Sequence, residues 1–135
     1  MKVAFGTDEH TALTDAVRTD LEARGHTVLA VPDGQWVEVG RGVGEAVASG
    51  QCDTGVLFCW TGTGASMAAN KVAGVRAALC TDAATAAGAR TWNDANVLVM
   101  GLRLTSAEVA TEMLDAWFAT ATDPDEADII AGLER

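Results

Sequence analysis

A cysteine followed by a glycine-rich loop is the part of this sequence whose residue types most directly suggest chemistry. Cys59 follows the apolar run 56–58, and residues 61–66 after it read Thr-Gly-Thr-Gly-Ala-Ser. Glycines let backbone N–H groups approach a ligand, and a helix beginning near Ala65 would direct the positive end of its dipole to the same point. Such a place favours the thiolate form of a cysteine, which is the reactive form. We therefore expect a reactive thiol beside an anion-binding loop.

Short apolar runs alternate with helical periodicity along the chain, and this alternation predicts a parallel sheet with crossover helices. The runs predict five strands, at residues 2–5, 27–31, 55–59, 76–80 and 97–100. Apolar residues recur every fourth position on two predicted helices, as Leu13, Val17 and Leu21 and as Val109, Met113 and Trp117. A further helix is expected at 39–49, and capping boxes are expected at Thr105 with Glu108 and at Asp123 with Glu126, around Pro124.

Ligands of such sheets bind beyond the carboxyl ends of the strands, so the residues that follow the strands form one candidate site. Asp8, Glu9 and His10 follow the first strand, and the Cys59 loop follows the third. Asp8 suits a general acid or base or an anchor for a hydroxyl group, although a polar residue there could equally cap the next helix. The candidate set also contains Gly6, Thr7, Thr81, Asp82, Gly101 and Arg103.

Length, charge and cysteine content limit the class of protein. The 135 residues predict one domain over 1–135, and a net charge of −10 argues against nucleic acid or an anionic membrane as the partner. The three cysteines form no Cys-x-x-Cys pair, and we expect no secretory leader, so a reducing cytoplasm is predicted. Cys52 and Cys80 are interpreted as packing residues. The two histidines are far apart in the sequence, so we expect neither a metal nor an organic cofactor.

Tryptophans are the other notable residues. Trp117 lies on the apolar face of a predicted helix and is expected in the core, whereas Trp36, Trp60 and Trp92 lie in or beside predicted loops. These three could line a pocket or an interface. His26 is interpreted as a surface turn residue.

Five segments carry a resemblance to a known family: residues 2–8, 46–50, 56–72, 75–80 and 93–98. In order and composition they are similar to type B ribose-5-phosphate isomerases and galactose-6-phosphate isomerase subunits. The resemblance implies a flavodoxin-like or Rossmann-like three-layer α/β sandwich. It also implies a homodimer with active sites shared across the interface, and leaves open whether two dimers form a tetramer.

The resemblance further implies aldose–ketose isomerisation by ring opening and a cis-enediolate intermediate. Cys59 matches the family's base, which moves a proton between C1 and C2 of the sugar. Thr61 matches a residue that assists ring opening, and Asp8 matches a residue that binds hydroxyl groups of the substrate. The loop residues Gly62, Gly64 and Ser66 match the surroundings of the reacting end. Asn93 matches a residue that contacts the substrate bound to the neighbouring subunit. Arg90 matches an arginine of the family that precedes the position of the ring-opening histidine.

The chain departs from the family at several of these positions. Trp92 replaces the histidine that serves in ring opening, and tryptophan cannot transfer a proton. Glu9 replaces a second histidine, with His10 displaced by one position, and Trp60 replaces a glycine. Residues 120–135 lack the arginines that hold phosphate in the family, the terminal Arg135 being the one basic residue there.

These departures predict a sugar or sugar derivative other than, or in addition to, ribose 5-phosphate. We expect a cofactor-free isomerase in which Glu9, His10, Trp60, Arg90 and Trp92 join the substrate contacts. The alternative is a carbohydrate-binding module or a partner subunit that keeps the fold without turnover, and Trp92 is its best argument. Redox or acyl chemistry at Cys59 is weaker, because no resolving cysteine is near in sequence.

Overall fold

The computed structural model describes residues 1–134, so Arg135 lies outside the described residues. Its strands form one parallel sheet in the order β2-β1-β3-β5-β4. All the predicted strands are found, with ends displaced by one or two residues: β1 Lys2–Thr7, β2 Thr27–Ala30, β3 Thr54–Cys59, β4 Ala77–Leu79 and β5 Val97–Gly101. The predicted α/β class with a five-stranded parallel sheet is confirmed.

Helices connect the strands and cover both faces of the sheet. They are α1 Ala12–Ala23, α2 Trp36–Ala48, α3 Thr63–Asn70, α4 Ala83–Asn93, α5 Ala107–Ala119 and α6 Ala127–Ala131. The helix expected at 39–49 begins earlier, at Trp36, because the apolar periodicity that marks it does not include its exposed first turn. The segment that ends the chain also contains two short 3₁₀ turns, Pro124–Glu126 and Gly132–Glu134.

Both predicted capping boxes differ from the structure in detail. The cap of α5 is Ser106, whose hydroxyl accepts the N–H of Val109 at 3.2 Å, so the pairing of Thr105 with Glu108 is wrong. Asp123 does precede a turn that starts at Pro124, but its carboxylate accepts the N–H of Asp125 at 2.9 Å. A tight 3₁₀ turn brings that nearer N–H within reach, and the predicted box with Glu126 is absent from residues 1–134.

Two hydrophobic cores lie on the two faces of the sheet. Helices α1, α4 and α5 pack on one face, where the predicted apolar positions Val17, Leu21, Met113 and Trp117 are buried. Helices α2 and α3 pack on the other. Trp117 is 3% exposed, as predicted, and its indole N–H donates to the hydroxyl of Thr54 at 3.1 Å. No helix in the described residues is both long and apolar enough to cross a membrane.

The connections from β1 and β3 leave in opposite directions, β1 leading to β2 and β3 to β4. A crevice therefore opens beyond the carboxyl ends of these adjacent strands, which is the usual ligand position in open parallel sheets. Thr7 at the end of β1 lies opposite Phe58, the neighbour of Cys59 in β3. The fold thus brings the Asp8 turn and the Cys59 loop together at the carboxyl ends of β1 and β3.

Strand β4 is an edge of the sheet, and a side chain occupies part of its free side. The amide of Asn70, at the end of α3, donates to the carbonyl of Ala77 at 2.9 Å and accepts the N–H of Ala77 at 2.8 Å. This pair of bonds reproduces what a neighbouring strand would make.

Candidate active site

Cys59 is the last residue of β3 and is 5% exposed. The end of β5 fixes the backbone around it, because the carbonyl of Cys59 accepts the N–H of Leu102 at 3.0 Å and that of Trp60 accepts the N–H of Arg103 at 2.9 Å. Trp60, the first residue after β3, is by contrast 55% exposed. The thiol is therefore held at a strand end, with an exposed indole next to it in sequence.

The loop after Cys59 turns sharply into α3. Gly62 has φ of +79° and precedes the helix, and a Cβ there would overlap the side chain of Leu79. Within the described residues, the N–H groups of Gly64 and Ala65 have no acceptor. Free donors at the positive end of a helix form a place for an oxyanion or an anionic group. The loop thus makes the predicted sharp turn into a helix, and anion binding there stays a prediction.

Hydroxyl groups of the loop bond to one another. The hydroxyls of Thr61 and Thr63 lie 2.7 Å apart, and Ser66 donates to the carbonyl of Thr63 at 2.9 Å. Thr61 is exposed, whereas Ser66 is half-buried. The loop therefore presents a hydrogen-bonded pair of hydroxyl groups to solvent.

Asp8, just after β1, carries a buried polar atom that the rest of the described chain leaves without a partner. Its Oδ1 is buried and has no hydrogen-bond partner among residues 1–134. The turn around it is well ordered, since the hydroxyl of Thr7 donates to the carbonyl of Glu9 at 2.7 Å. A buried carboxylate oxygen without a partner is costly, and a bound hydroxyl group would supply one.

Two other residues of this turn point to solvent or to a different partner. Glu9 is exposed. The imidazole of His10 binds the carboxylate of Asp33 at 2.8 Å, in the segment after β2, and both side chains are exposed. Because β2 lies on the far side of β1 from β3, this contact draws His10 away from Cys59.

The remaining predicted contacts lie on helix α4. Arg90, Trp92 and Asn93 belong to the last turn of α4, which ends just before β5 starts. Arg90 is already engaged there, because its guanidinium donates to the carbonyl of Ala95 at 2.6 Å and to Asp94 at 3.1 Å. Trp92 is 60% exposed and Asn93 is exposed. Within one subunit, these residues and Cys59 do not form a common site.

Trp36 and Arg103, which the sequence analysis named only in general terms, lie beside the loop. The indole of Trp36, the first residue of α2, occupies the space next to Gly64, where a Cβ would approach its Cε3 to 2.8 Å. Arg103 is exposed after β5 and makes no ion pair among the described residues. Arg103 entered the predicted candidate set because it follows a strand, but no periodicity in the sequence pairs Trp36 with Gly64.

The other cysteines and Asp82 are structural. Cys52 and Cys80 are buried in the two cores, as predicted for packing residues. Burial, and to a smaller degree Asp82, raise the pKa of the Cys80 thiol to about 11, and burial also raises the pKa of Cys52. Asp82 caps α4 by accepting the N–H of Thr85 at 2.7 Å, which lowers the pKa of Asp82. Among residues 1–134, no cluster of three or more His, Cys, Asp or Glu side chains could hold a metal ion.

Several known proteins with similar sequence or structure are named as sugar-phosphate isomerases. The model of the family described as Ribose/Galactose Isomerase matches residues 3–130. Ribose-5-phosphate isomerase B of Escherichia coli is 36% identical over 122 residues, which are 86% of this chain and 82% of that protein. D-erythrulose-4-phosphate isomerase of Pectobacterium atrosepticum is 34% identical over 124 residues, 87% of this chain and 82% of that protein.

The structure of ribose-5-phosphate isomerase B from Clostridium thermocellum has the same fold. It superimposes with a TM-score of 0.94 at 34% identity, covering 99% of this chain and 95% of that one. The predicted three-layer Rossmann-like fold and the predicted isomerase class are therefore confirmed. This chain belongs to the ribose/galactose isomerase family.

Proposed function

We propose that this chain is a cofactor-free aldose–ketose isomerase in which Cys59 moves a proton between C1 and C2 of an open-chain sugar. The observation that carries the proposal is the position of a nearly buried thiol at the carboxyl end of β3, beside free N–H donors at the start of α3. Removal of the C2 proton by the thiolate would give a cis-enediolate, and the resulting thiol would return the proton to C1.

The groups around Cys59 have complementary tasks in this reaction. Negative charge develops on the carbonyl oxygen of the sugar, and the N–H group of Gly64, a half-buried residue without an acceptor for that N–H, is the donor we assign to it. The unpartnered oxygen of Asp8 would accept a hydrogen bond from a sugar hydroxyl. Thr61, paired with Thr63 at 2.7 Å, is our candidate for moving a proton during ring opening, since Trp92 cannot.

The charges at the carboxyl edge bear on the substrate. Arg103 is a free cation next to Trp60, whereas Arg90 is occupied on helix α4. A single guanidinium is modest support for a phosphate dianion. We therefore propose a substrate other than, or in addition to, ribose 5-phosphate. The relatives named above act on phosphates of sugars of different chain length, so the family fold accommodates such variation.

A homodimer with shared sites is part of the proposal. Trp92 and Asn93 are exposed on α4 and share no described cavity with their own Cys59, so we assign their contact to the substrate of a neighbouring copy. Three cysteines that are free and buried fit the reducing cytoplasm that we propose as the compartment.

The test is hydrogen exchange at the sugar. The protein, Cys59→Ala and the control Cys52→Ala would be incubated in heavy water with phosphorylated and unphosphorylated aldoses, ketoses and sugar acids. We expect deuterium at C1 or C2 with the unaltered protein and with Cys52→Ala, and none with Cys59→Ala.

Two outcomes would contradict the proposal. Full exchange with Cys59→Ala would exclude the thiol as the base. Tight sugar binding without exchange, in a folded dimer, would favour a carbohydrate-binding module, and activity only after addition of a companion chain would favour a partner subunit. Trp92 is the residue that gives these alternatives their support.

A further inference from the structure

The residue that ends helix α4 has an uncommon backbone conformation. Asp94 has φ of +46° and ψ of +43°, and it is the one residue other than glycine with a positive φ among residues 1–134. A left-handed residue at a helix end is most often glycine, because a side chain is strained there. The N–H groups of Asp94 and Ala95 both donate to the carbonyl of Ala89, so the helix closes around this residue. The reason for an aspartate lies in the contacts of its side chain.

The carboxylate of Asp94 is bound from three parts of the chain. Its Oδ1 accepts hydrogen bonds from Arg90 at 3.1 Å and from the hydroxyl of Thr122 at 2.8 Å, and its Oδ2 accepts one from Arg76 at 3.2 Å. Arg76 precedes β4, Arg90 belongs to α4, and Thr122 follows α5. The side chains of both arginines are largely buried, at 20% and 22% exposure. A carboxylate between two such cations offsets their repulsion and holds the three segments together.

The same arginines also bind the backbone around Asp94. The Nε group of Arg76 donates to the carbonyl of Asp94 at 2.7 Å. The Nη1 group of Arg90 donates to the carbonyl of Ala95 at 2.6 Å. The side chain of Asn96 accepts the N–H of Arg76 at 2.7 Å and donates to a backbone carbonyl before β4 at 2.9 Å. The connection between α4 and β5 is therefore held at three successive residues.

Asn93, directly before Asp94, is the residue whose position this network determines. Asn93 is exposed on the last turn of α4 and lines two clefts, of about 590 Å³ and about 540 Å³. Its neighbour Trp92 packs on its own helix, since a Cβ at Gly88 would approach the Cζ3 atom of Trp92 to 2.7 Å. An exposed amide has no core packing to orient it, so the place of Asn93 depends on the backbone that follows.

We propose that Asp94 is a positioning residue for the isomerase reaction. Its carboxylate, held by Arg76 and Arg90, fixes the end of α4 and thereby orients the amide of Asn93 for the substrate. This inference rests on the proposed function, in which Asn93 contacts the substrate of a neighbouring copy, and it adds the residues that hold Asn93 in place. It also gives the guanidinium of Arg90 a task inside its own subunit. Asp94 itself touches no reacting atom in this arrangement.

Two replacements of Asp94 separate the backbone from the carboxylate. Asp94→Gly adopts the left-handed conformation without strain and removes the carboxylate. Asp94→Asn also tolerates this conformation and keeps one acceptor oxygen, but it removes the charge. We expect the rate of deuterium incorporation at limiting sugar to fall at least about tenfold in Asp94→Gly and by less in Asp94→Asn, because a small displacement of a contact group lowers rates steeply. An unchanged rate in Asp94→Gly would overturn the inference.

A double-mutant cycle with Asn93→Ala gives the decisive result. If Asp94 acts through Asn93, its replacement has little left to disturb once the amide is gone. The rate of Asn93→Ala/Asp94→Gly should therefore equal that of Asn93→Ala within about a factor of two. Single losses that multiply in the double variant would overturn the inference, because Asp94 would then act by another route. An unchanged rate in Asn93→Ala alone would overturn it as well.

Asp20 offers a matched control. Its carboxylate accepts hydrogen bonds from Arg24 at 2.7 Å and from the hydroxyl of Thr111 at 3.1 Å, and it joins α1 to α5. Asp20→Asn removes a comparable charge from a network of arginine and threonine, so it should keep the rate of the unaltered protein. Equal losses of rate in Asp20→Asn and Asp94→Asn would indicate a general loss of stability and count against the inference.

Amide hydrogen exchange separates this inference from the proposed function. Mass spectrometry of a peptide over residues 89–96 measures order at the end of α4 without a substrate. The N–H groups of Asp94, Ala95 and Asn96 are bonded in the structure, and we expect them to exchange at least about threefold faster in Asp94→Asn than in Asp20→Asn. This local change in a protein that labels no sugar would contradict the isomerase and still support Asp94 as the residue that orders Asn93. Sugar labelling that depends on Cys59, without the local change, would contradict the inference alone.

Discussion

Replacing Gly62 by alanine tests how the structure builds the catalytic loop. Gly62 has φ of +79°, and a left-handed conformation costs an alanine about 1–2 kcal/mol. A Cβ there would also approach the backbone of Gly101 and Met100 to 3.2 Å, which cannot turn away as the exposed end of Leu79 can, and forcing extra atoms into packed structure costs about 1–3 kcal/mol. The sum predicts that Gly62→Ala lowers the free energy of unfolding by about 2–5 kcal/mol.

A matched control separates the two contributions. Gly25 has a similar φ of +89°, but a Cβ there has no atom within 4 Å. Gly25→Ala should therefore cost only the backbone contribution, about 1–2 kcal/mol. Urea unfolding followed by tryptophan fluorescence would measure both variants at one protein concentration, because a dimer's stability depends on concentration.

The reasoning also predicts different effects on activity. Relief of the overlap would move the loop that follows Cys59, so Gly62→Ala should lose most hydrogen exchange at the sugar, while Gly25→Ala should keep it. Equal losses of stability in the two variants would refute the argument from close packing. Full exchange by Gly62→Ala would refute the assigned position of the loop donor.

Three further predictions concern other parts of the molecule. Trp117→Phe removes the buried hydrogen bond to Thr54 and should lower the free energy of unfolding by about 1–2 kcal/mol in urea titrations; a loss below about 0.3 kcal/mol would contradict that role. The raised pKa of Cys80, about 11 against an ordinary 9.0, means that its thiol favours folding fully below pH 9.0. That contribution is lost as the pH rises towards 11, so Cys80→Ala should show a shallower decline of urea midpoints between these values. Trp92→His supplies an acid–base group and should raise turnover more for sugars that are mainly cyclic than for acyclic ones; equal changes in initial rate would argue against a role in ring opening.

The sheet and the Cys59 loop were predictable because their signals are local. Strands buried on both faces appear as continuous apolar runs, and Thr54–Cys59 is buried along its whole length. The glycines after it mark the turn into α3. The ends of helices were less predictable, because neighbouring residues can both have a side chain able to cap the helix. Thr105 and Ser106 could each cap α5 on sequence grounds, and the structure shows that Ser106 does.

The sequence pattern did not predict which of the candidate site residues lie near the Cys59 loop and which lie away from it. Arg90 lies close in sequence to a position that contacts substrate in the family, but its guanidinium binds Ala95 and Asp94 across a turn. The contact of Trp36 with Gly64 joins residues from two helices and depends on how α2 packs against α3. Such contacts follow from tertiary packing, so neither periodicity nor motif spacing contains them.

The amide of Asn70 has a consequence for how copies of this chain can associate. A sheet edge with free N–H and C=O groups invites another strand, and continuous sheets across subunits, as well as fibrous aggregates, form in that way. Asn70 occupies both groups of Ala77 in the three-residue strand β4, so a sixth strand would have to displace it. Extension of the sheet by a second copy is thereby opposed at β4, and this side of the sheet stays within its own subunit.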